Sequence, residues 1–383
     1  MKKGWQTKTI GDVCELIAGQ SPEGKFYNSE GNGLPFYQGK KDFGEKFIEA
    51  PTTWTTQTTK VAKEGDILMS VRAPVGPVNF STEEICIGRG LAAIRSGTQL
   101  NRDFLFYQLL HLQPEIAGKE GAVFASINKS EIEALPLAFA PLAEQQRIVG
   151  LLDEAFEGLA TAKANAEKNL QNARALFESH LQSVFTHRGP GWKMEKLDDL
   201  TELARGHNPP KSKFSREQKP GYVRFYQIRD GGTDDYTVYV PDTPQLHKMK
   251  KDDIMMVAYR HVGRAFRGVE GAFNVALCKI SNARRDLLDD DYLFHMIPSP
   301  FVKGELLKRS ERSLIPSMSI EHLRELRIPL PPLPEQQKIV KLINSLSKET
   351  QRLARLYERK LAALEALKKS LLHQSLRWRP LIT

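Results

Sequence analysis

Two long segments of the chain place apolar side chains at steps of four or three residues, on average 3.5, with polar side chains between them. The segments cover residues 143–185 and 334–376. The apolar positions are Ile148, Leu152, Ala155, Leu159, Ala162, Ala166, Leu170, Ala173 and Leu176 in the first segment, and Ile339, Ile343, Leu346, Thr350, Leu353, Tyr357, Leu361, Leu364 and Leu367 in the second. This spacing is typical of the seam of a coiled coil. The pattern predicts two helices, each about 65 Å long at 1.5 Å per residue.

Shorter apolar runs precede each predicted helix. "DILMSV" (66–71) and "LAAI" (91–94) are bounded by Gly, Pro and charged residues, which is the pattern of buried strands. "RDFLFYQLLHL" (102–112) predicts a short helix. Each half of the chain is therefore predicted to be a mixed α/β domain followed by one long helix, an α+β fold in class. The pattern does not determine the order of the strands.

The two halves are copies of each other. "PLAEQQRIV" (141–149) recurs as "PLPEQQKIV" (332–340), 191 residues further on. "GWQTKTIGDVCELIAGQSP" (4–22) matches "GWKMEKLDDLTELARGHNP" (191–209), and "KEGDILMSVRAPVG" (63–76) matches "KKDDIMMVAYRHVG" (250–263). Self-similarity at one long period indicates a tandem repeat. We predict a first domain at 1–140, a first helical segment at 141–188, a second domain at 189–331, and a second helical segment with a tail at 332–383.

The connection between the halves predicts the direction of the helices. The first helix ends at "THRGPGW" (186–192), where two glycines and a proline stop it and the second domain begins at once. To bury its seam on the first helix, the second helix must run back in the opposite direction. We expect an antiparallel intramolecular coiled coil that carries two similar domains related by an approximate twofold axis.

Composition narrows the functional classes. Hydrophobic residues make up 40% of the 383-residue chain and charged residues 26%, which is ordinary for a globular protein. No apolar run approaches the roughly 20 residues that a membrane helix needs, and the N-terminus shows no secretion signal, so we expect a cytoplasmic location and no membrane partner. The three cysteines, Cys14, Cys86 and Cys278, lie far apart in sequence, which argues against a metal site or a disulfide framework. The net charge of +9 is compatible with a polyanionic partner.

The sequence offers little for catalysis. "HNPPKSKF" (207–214) is similar to the Asn-Pro-Pro-aromatic loop of DNA amino-methyltransferases, but Lys211 stands where the aromatic residue would stack on a base. A glycine-rich turn for an adenosyl cofactor does not accompany it, and we find no nucleophile elbow, metal-binding histidine pair or catalytic constellation of carboxylates. These features favour a binding protein. Two alternatives stay open: a solitary DNA methyltransferase, and a coiled-coil assembly protein without sequence-specific DNA binding.

The repeated motifs resemble a known family. The order domain, helix, domain, helix, with "LPLAFAPLAEQQRIVGLLD" and "LRIPLPPLPEQQKIVKLIN" at the helix starts and "GDILMSVRAPVG" in the first domain, is similar to the specificity subunit of type I restriction-modification enzymes. The resemblance implies that each domain is a target recognition domain for one half of a bipartite, asymmetric sequence in double-stranded DNA, and that the helices set the spacing.

The resemblance also implies partners. Two modification subunits would dock on the helices and bring S-adenosylmethionine and adenine methylation. Restriction subunits would bring translocation and cleavage that depend on ATP and Mg²⁺. This chain itself would be non-catalytic and would hold no cofactor and no metal.

Candidate DNA contacts are polar residues that follow predicted strands. Arg and Gln suit base edges, and Lys suits phosphates. In the first domain the candidates are Gln38, Lys40, Lys41, Arg72 and Arg89; in the second they are Lys211, Lys213, Gln227, Arg229, Tyr259, Arg260, His261 and Arg264. The aromatic residues Phe36, Tyr37, Phe225 and Tyr226 are predicted to belong to the core.

Overall fold

The chain forms two compact units. The computed structural model describes residues 4–117, 126–187, 189–230, 235–259, 262–309 and 318–376. Unit 1 comprises Met1–Ala166 and Arg359–Thr383, and unit 2 comprises Glu167–Glu358. Each unit therefore combines one mixed domain with a part of both long helices.

Unit 1 contains eleven strands among its described residues, in two sheets and one separate strand pair. The strands are β1 (Gln6–Thr9), β2 (Cys14–Ala18), β3 (Tyr27–Asn28), β4 (Leu34–Tyr37), β5 (Trp54–Thr55), β6 (Val61–Ala62), β7 (Ile67–Ser70), β8 (Val78–Phe80), β9 (Ile85–Ile87), β10 (Leu91–Ser96) and β11 (Pro136–Phe139). The helices are α1 (Ile10–Val13), α2 (Arg102–Ile116), α3 (Lys129–Glu133) and α4 (Leu142–Thr186). The sheets have the orders β2-β10-β7-β8 and β3-β5-β4-β9-β6, and β1 pairs with β11.

Unit 2 repeats this topology with small changes. Its strands are β12 (Lys193–Lys196), β13 (Thr201–Arg205), β14 (Tyr222–Tyr226), β15 (Val238–Pro241), β16 (Lys248–Met249), β17 (Ile254–Val257), β18 (Ala265–Phe266), β19 (Gly271–Phe273), β20 (Leu277–Asn282) and β21 (Arg327–Leu330). Its helices are α5 (Leu197–Leu200), α6 (Asp290–Met296), α7 (Pro300–Arg309), α8 (Ile320–Arg324) and α9 (Leu333–Leu376). The sheets have the orders β13-β20-β17-β18 and β15-β14-β19-β16, and β12 pairs with β21.

The predicted strands and the predicted short helix are present. "DILMSV" contains β7, whose four residues are all buried, and "LAAI" begins β10, which pairs antiparallel with both β2 and β7. α2 begins after Asn101, whose Oδ1 accepts from the backbone N–H of Phe104 at 3.0 Å, a side-chain cap typical of helix starts. The corresponding α6 begins after Asp289, whose Oδ1 accepts from Tyr292 N at 2.9 Å.

The two long helices pair in opposite directions within each unit. In unit 1, Ile148 and Leu152 from the start of α4 share a core with Leu372 and Leu376 from the end of α9. The ion pair between Lys163 Nζ and Glu365 Oε1, at 2.9 Å, joins the same stretches.

In unit 2 the end of α4 packs against the start of α9. Leu181 and Phe185 from the end of α4 share a core with Val340 and Ile343 from the start of α9. Because the start of one helix meets the end of the other in both units, the predicted antiparallel pairing is confirmed.

The predicted seam is wrong at three positions. Leu176 is 74% exposed, Leu367 47% and Leu353 37%. A strict 3.5-residue repeat drifts around a helix of 3.6 residues per turn, so a seam extended over several heptads moves off the buried face. Phe177, one residue after Leu176, is half-buried against the core of unit 2 instead, and Leu372, five residues after Leu367, is buried in the core of unit 1.

No helix in the described part of the chain combines the length and the hydrophobicity needed to span a lipid bilayer.

Candidate nucleic-acid interface

Four loops of unit 1 meet at the turn between β9 and β10. Gly88 N donates to Tyr37 O at 2.8 Å, and Val71 N donates to Gly90 O at 2.9 Å. Gln20 N donates to Ile87 O at 2.9 Å. We call residues 19–21, 38–41, 71–74 and 88–90 loop cluster 1. Each of these loops follows a strand, so the sheets fix where the loops lie.

Unit 2 builds the same cluster with the equivalent hydrogen bonds. Asn274 N donates to Tyr226 O at 3.0 Å, and Ala258 N donates to Ala276 O at 2.9 Å. His207 N donates to Phe273 O at 3.1 Å. We call residues 206–208, 227–230, 258–259 and 274–276 loop cluster 2. The two clusters share a backbone frame, because each hydrogen bond of one has a counterpart in the other.

A glycine permits the close approach of two loops in each cluster. A Cβ atom on Gly19 would lie 2.2 Å from Gly88 O, and one on Gly206 would lie 2.2 Å from Asn274 O. Contacts this short exclude any side chain, so only glycine fits at these positions. A side chain then closes the contact: Ser21 Oγ accepts from Arg89 N at 3.2 Å, and Asn208 Oδ1 accepts from Val275 N at 3.3 Å.

The structure brings the predicted residues of the first domain together. Gln38, Arg72 and Arg89 are all exposed and lie in loop cluster 1. Gln38 is held against the turn that carries Arg89, because a Cβ on Gly90 would lie 2.3 Å from Gln38 O. Lys40 and Lys41 are exposed on the single 3₁₀ turn at residues 40–42, where Lys41 Nζ lies 3.8 Å from Asp42 Oδ1.

Gln227 and Tyr259 of the second domain occupy the positions of Gln38 and Arg72 in loop cluster 2. Gln227 N donates to Asp230 Oδ2 at 2.7 Å. The side-chain Nε2 of Gln227 is buried and has no hydrogen-bond partner among the residues that the structure describes. Arg229 places its Cζ 5.3 Å from the centre of the Tyr236 ring.

The other predicted residues of the second domain lie outside loop cluster 2 or outside the described residues. Arg264 is exposed, and its carbonyl oxygen accepts from Val257 N at 2.7 Å. Lys211 and Lys213 are exposed on the 3₁₀ turn that follows Pro210. Arg260 and His261 lie outside the described residues. The contact of any of these side chains with DNA stays a prediction.

Sequence reasoning missed three residues at the loop clusters. Gln20 and His207 are exposed and directly follow the two close-approach glycines. Arg205 precedes Gly206, and its Nε donates to Val275 O at 2.9 Å, which places the guanidinium beside loop cluster 2. The matching of "AGQSP" with "RGHNP" in the repeat was the signal that could have identified them, since the conserved Gly-x-x-Pro frame surrounds variable polar residues.

The clusters offer hydrogen-bonding and cationic groups but few candidates for covalent chemistry. Burial raises the pKa of the Cys14 thiol to about 12 and that of Cys278 to about 11, so both stay protonated near neutral pH. The described residues contain no group of three or more His, Cys, Asp or Glu side chains placed to hold a metal ion. Exposed amides and guanidinium groups on loops fixed by sheets are suited to base edges and phosphates.

The family model for the type I restriction modification DNA specificity domain matches residues 2–170 and again residues 190–359. A putative type I restriction enzyme MjaX specificity subunit from Methanocaldococcus jannaschii is 38% identical over 174 residues, which are 44% of this chain and 40% of that relative. The MjaIX specificity subunit from the same organism is 21% identical over 380 residues, covering 90% of this chain and 87% of the relative.

Solved structures show the same fold. A chain from a study of complex assembly and conformational transition in the type I R-M system superposes with a TM-score of 0.82 at 19% identity, covering 98% of both chains. The HsdS subunit from Thermoanaerobacter tengcongensis superposes with a TM-score of 0.60 at 19% identity, covering 98% of this chain and 97% of that one. The chain therefore belongs to the family of type I restriction-modification specificity subunits, with two copies of the DNA specificity domain, as the repeated helix-start phrase predicted.

Proposed function

We propose that the chain reads a bipartite, asymmetric DNA sequence, one half with each loop cluster. The observation that carries this proposal is that the two clusters share their backbone hydrogen bonds but differ in their side chains. Arg72 in loop cluster 1 corresponds to Tyr259 in loop cluster 2, and Arg89 corresponds to Val275. One frame that presents two different sets of side chains is suited to two different half-sites.

The side chains suggest how the two half-sites are read. Arg72 and Arg89 are suited to the two acceptors of guanine in the major groove, and the exposed amide of Gln38 to adenine. The lysines of both domains, Lys40, Lys41, Lys211 and Lys213, are suited to phosphates, which position the protein without reading sequence.

In this proposal the chemistry resides in partners. Two modification subunits carry S-adenosylmethionine and methylate adenine, and restriction subunits use ATP and Mg²⁺, while this chain selects the site. The complex would act on cellular DNA in the cytoplasm.

Repeated exposed leucines support docking of two copies of one partner. Leu151 on α4 is 52% exposed, and its counterpart Leu342 on α9, 191 residues further on, is 46% exposed. Leu176 and Leu367, also 191 residues apart, are exposed as well. An apolar side chain that stays in solvent in both copies of a diverged repeat favours an interface. Because the surface occurs twice, we assign one modification subunit to each copy.

The docking surface can be tested by substitution. Leu151→Asp with Leu342→Asp should abolish co-purification of modification subunits, since a carboxylate would be buried in an apolar contact. Gln351→Asp, which places the same charge on an exposed position of α9 nine residues beyond Leu342, is the matched control for an added charge. Two modification subunits still bound to the double leucine variant would contradict this assignment.

The reading of DNA can be tested by mapping methylated adenines in DNA exposed to the complex assembled with modification subunits. We expect one asymmetric motif in two halves. Arg72→Ala should relax one half only, and Arg229→Ala in loop cluster 2 the other half only, each by about 1 to 3 kcal/mol if the side chain makes a bidentate base contact. Lys193→Ala, an exposed change on β12 outside both clusters, is the control and should leave the motif unchanged. Methylation without sequence preference, or a single variant that relaxes both halves, would contradict the proposal.

A further inference from the structure

One buried glutamine stands in the first turn of each long helix. Gln145 in α4 and Gln336 in α9 are both 0% exposed, and they occupy the same position in the repeated Glu-Gln-Gln phrase. A buried side-chain amide is costly unless its oxygen and its nitrogen both find partners. The next residues, Gln146 and Gln337, are exposed. Solubility therefore does not explain why the first glutamine of the pair is present.

Gln145 joins three segments of unit 1. Its Oε1 accepts from Asn101 N at 2.7 Å, at the residue that caps α2. Its Nε2 donates to Gln99 O at 3.1 Å and to Ala140 O at 2.7 Å, and Ala140 follows the last residue of β11. A single side chain thus links the start of α4, the turn before α2 and the end of β11.

Gln336 makes the same three hydrogen bonds in unit 2. Its Oε1 accepts from Asp289 N at 2.8 Å, at the residue that caps α6. Its Nε2 donates to Leu287 O at 2.7 Å and to Pro331 O at 2.8 Å, and Pro331 follows β21. Every partner is a backbone group, so this link does not depend on which side chains the surrounding segments carry.

We infer that Gln145 and Gln336 are positioning residues that fix the angle between each long helix and its recognition domain, and thereby the spacing of the two half-sites that the protein accepts. This inference rests on the proposed function. Apolar packing around the helix starts is not directional, whereas three hydrogen bonds to three segments allow one orientation.

The length of the helices makes a small angular change large in effect. A rotation of about 5° at one end of a helix of about 65 Å moves its other end by about 6 Å. Successive base pairs are about 3.4 Å apart along the duplex. Loosening the glutamine link by a few degrees therefore corresponds to more than one base pair of spacing.

The test compares the buried glutamines with their exposed neighbours. Gln145→Met and Gln336→Met keep the length of the side chain but remove all three hydrogen bonds, and Gln146→Met and Gln337→Met are the matched controls. Each chain is assembled with modification subunits. Methylation rates are measured on duplexes whose two half-sites stand at the cognate spacing, one base pair closer, or one base pair further apart.

We expect the wild type and both controls to discriminate strongly against the altered spacings. In Gln145→Met and Gln336→Met the ratio of cognate to altered-spacing rates should fall about tenfold, which is about 1.4 kcal/mol. A role confined to folding would lower all three rates together and leave the ratio unchanged. The spacing ratio is therefore a readout that a merely structural role does not move.

The outcomes separate this inference from the function on which it rests. A wild-type complex that methylates no bipartite site would remove the proposed function and this inference with it. A wild type that discriminates by spacing, with buried-glutamine variants that discriminate equally well, would overturn the inference alone. Should one variant fail to fold, the other unit supplies an independent site with the same three hydrogen bonds.

Discussion

The two units differ in the side chains that join a domain helix to a long helix, namely α2 to α4 in unit 1 and α6 to α9 in unit 2. In unit 1 the Tyr107 hydroxyl on α2 donates to Asp153 Oδ1 on α4. In unit 2 the equivalent positions hold His295 on α6 and Asn344 on α9, whose Nε2 and Oδ1 lie 2.8 Å apart. Both residues of the pair have changed, yet a side-chain hydrogen bond joins the same two elements.

The cations beside these pairs have changed as well. In unit 1 Lys46 Nζ lies 3.2 Å from Asp103 Oδ1 and 3.4 Å from Asp153 Oδ1. In unit 2 Arg267 Nη2 lies 2.5 Å from Asp291 Oδ1, and its Cζ lies 4.3 Å from the centre of the Phe294 ring. The buried glutamines, by contrast, are identical. The contacts to backbone have been kept and the contacts between side chains have diverged, so the geometry of each junction is more constrained than its chemistry.

The largest effect that tests this view concerns the apolar anchors at the helix ends. Phe185 near the end of α4 is 1% exposed, and its counterpart near the end of α9, Leu376, is 3% exposed. Phe185→Ala should cost about 3 to 5 kcal/mol and Leu376→Ala about 2 to 5 kcal/mol, because each leaves a cavity in a packed core. Denaturant unfolding followed by hydrogen exchange should show lower stability in unit 2 for Phe185→Ala and in unit 1 for Leu376→Ala.

The matched control is Leu176→Ala, since this leucine is 74% exposed and should change stability by no more than about 0.5 kcal/mol. If Phe185→Ala lowered protection equally in both cores, the helix ends would not act as separate anchors for the two units.

Much of this architecture follows from the sequence. The duplicated phrases predicted the repeat, and the turn at Gly189 to Gly191 predicted the antiparallel helices, because local signals and chain connectivity suffice for both. Strand order did not follow, since the parallel contact of β4 with β9 joins Phe36 to Cys86 across 50 residues, and hydrophobic pattern carries no information on partners. The seam failed at Leu176 because the helical period, rather than the heptad, decides which face is buried.

The interface was predictable only in part for a related reason. Gln38, Arg72 and Arg89 were identifiable as polar residues after strands, but their convergence depends on the backbone hydrogen bonds of Gly88 and Gly90. Gln20 was missed because it follows a strand whose end the apolar pattern does not mark.

A smaller effect is expected from the tyrosine pair of unit 1. Burial and the neighbouring Asp153 both raise the pKa of Tyr107, so its hydroxyl stays a donor. Tyr107→Phe removes a hydrogen bond to a carboxylate and should cost about 1 to 2 kcal/mol, with the loss reduced because Asp153 can regain water. Urea unfolding should show the change, and Tyr236→Phe, at a tyrosine that is 51% exposed, is the control. An unchanged midpoint would show that Lys46 alone satisfies Asp153.

The smallest expected effect is a pH dependence of stability at the contact of α6 with α9, which the contact of α2 with α4 through Tyr107 does not share. Burial is the main cause that lowers the pKa of His295 below the ordinary value of 6.5, and Arg267 acts in the same direction; the hydrogen bond to Asn344 and the charges of Asp291 and Asp289 oppose this shift. The unfolded chain therefore binds the proton more tightly, so the stabilising contribution is complete above pH 6.5 and is lost as the pH falls below it. Tyr107, at the equivalent position, does not titrate in this range.

The measurement is hydrogen exchange in α6 and α2 between pH 7.5 and 5.5, corrected for intrinsic rates. Protection in α6 should fall as the pH is lowered through this range, and His295→Gln should abolish that fall. A fall in α2 has a different source, because burial and His373 lower the pKa of His111 on that helix, so it should persist in His295→Gln and disappear in His111→Gln. If protection in α6 depends on pH equally in the wild type and in His295→Gln, the titration of His295 does not contribute to the pH response of unit 2.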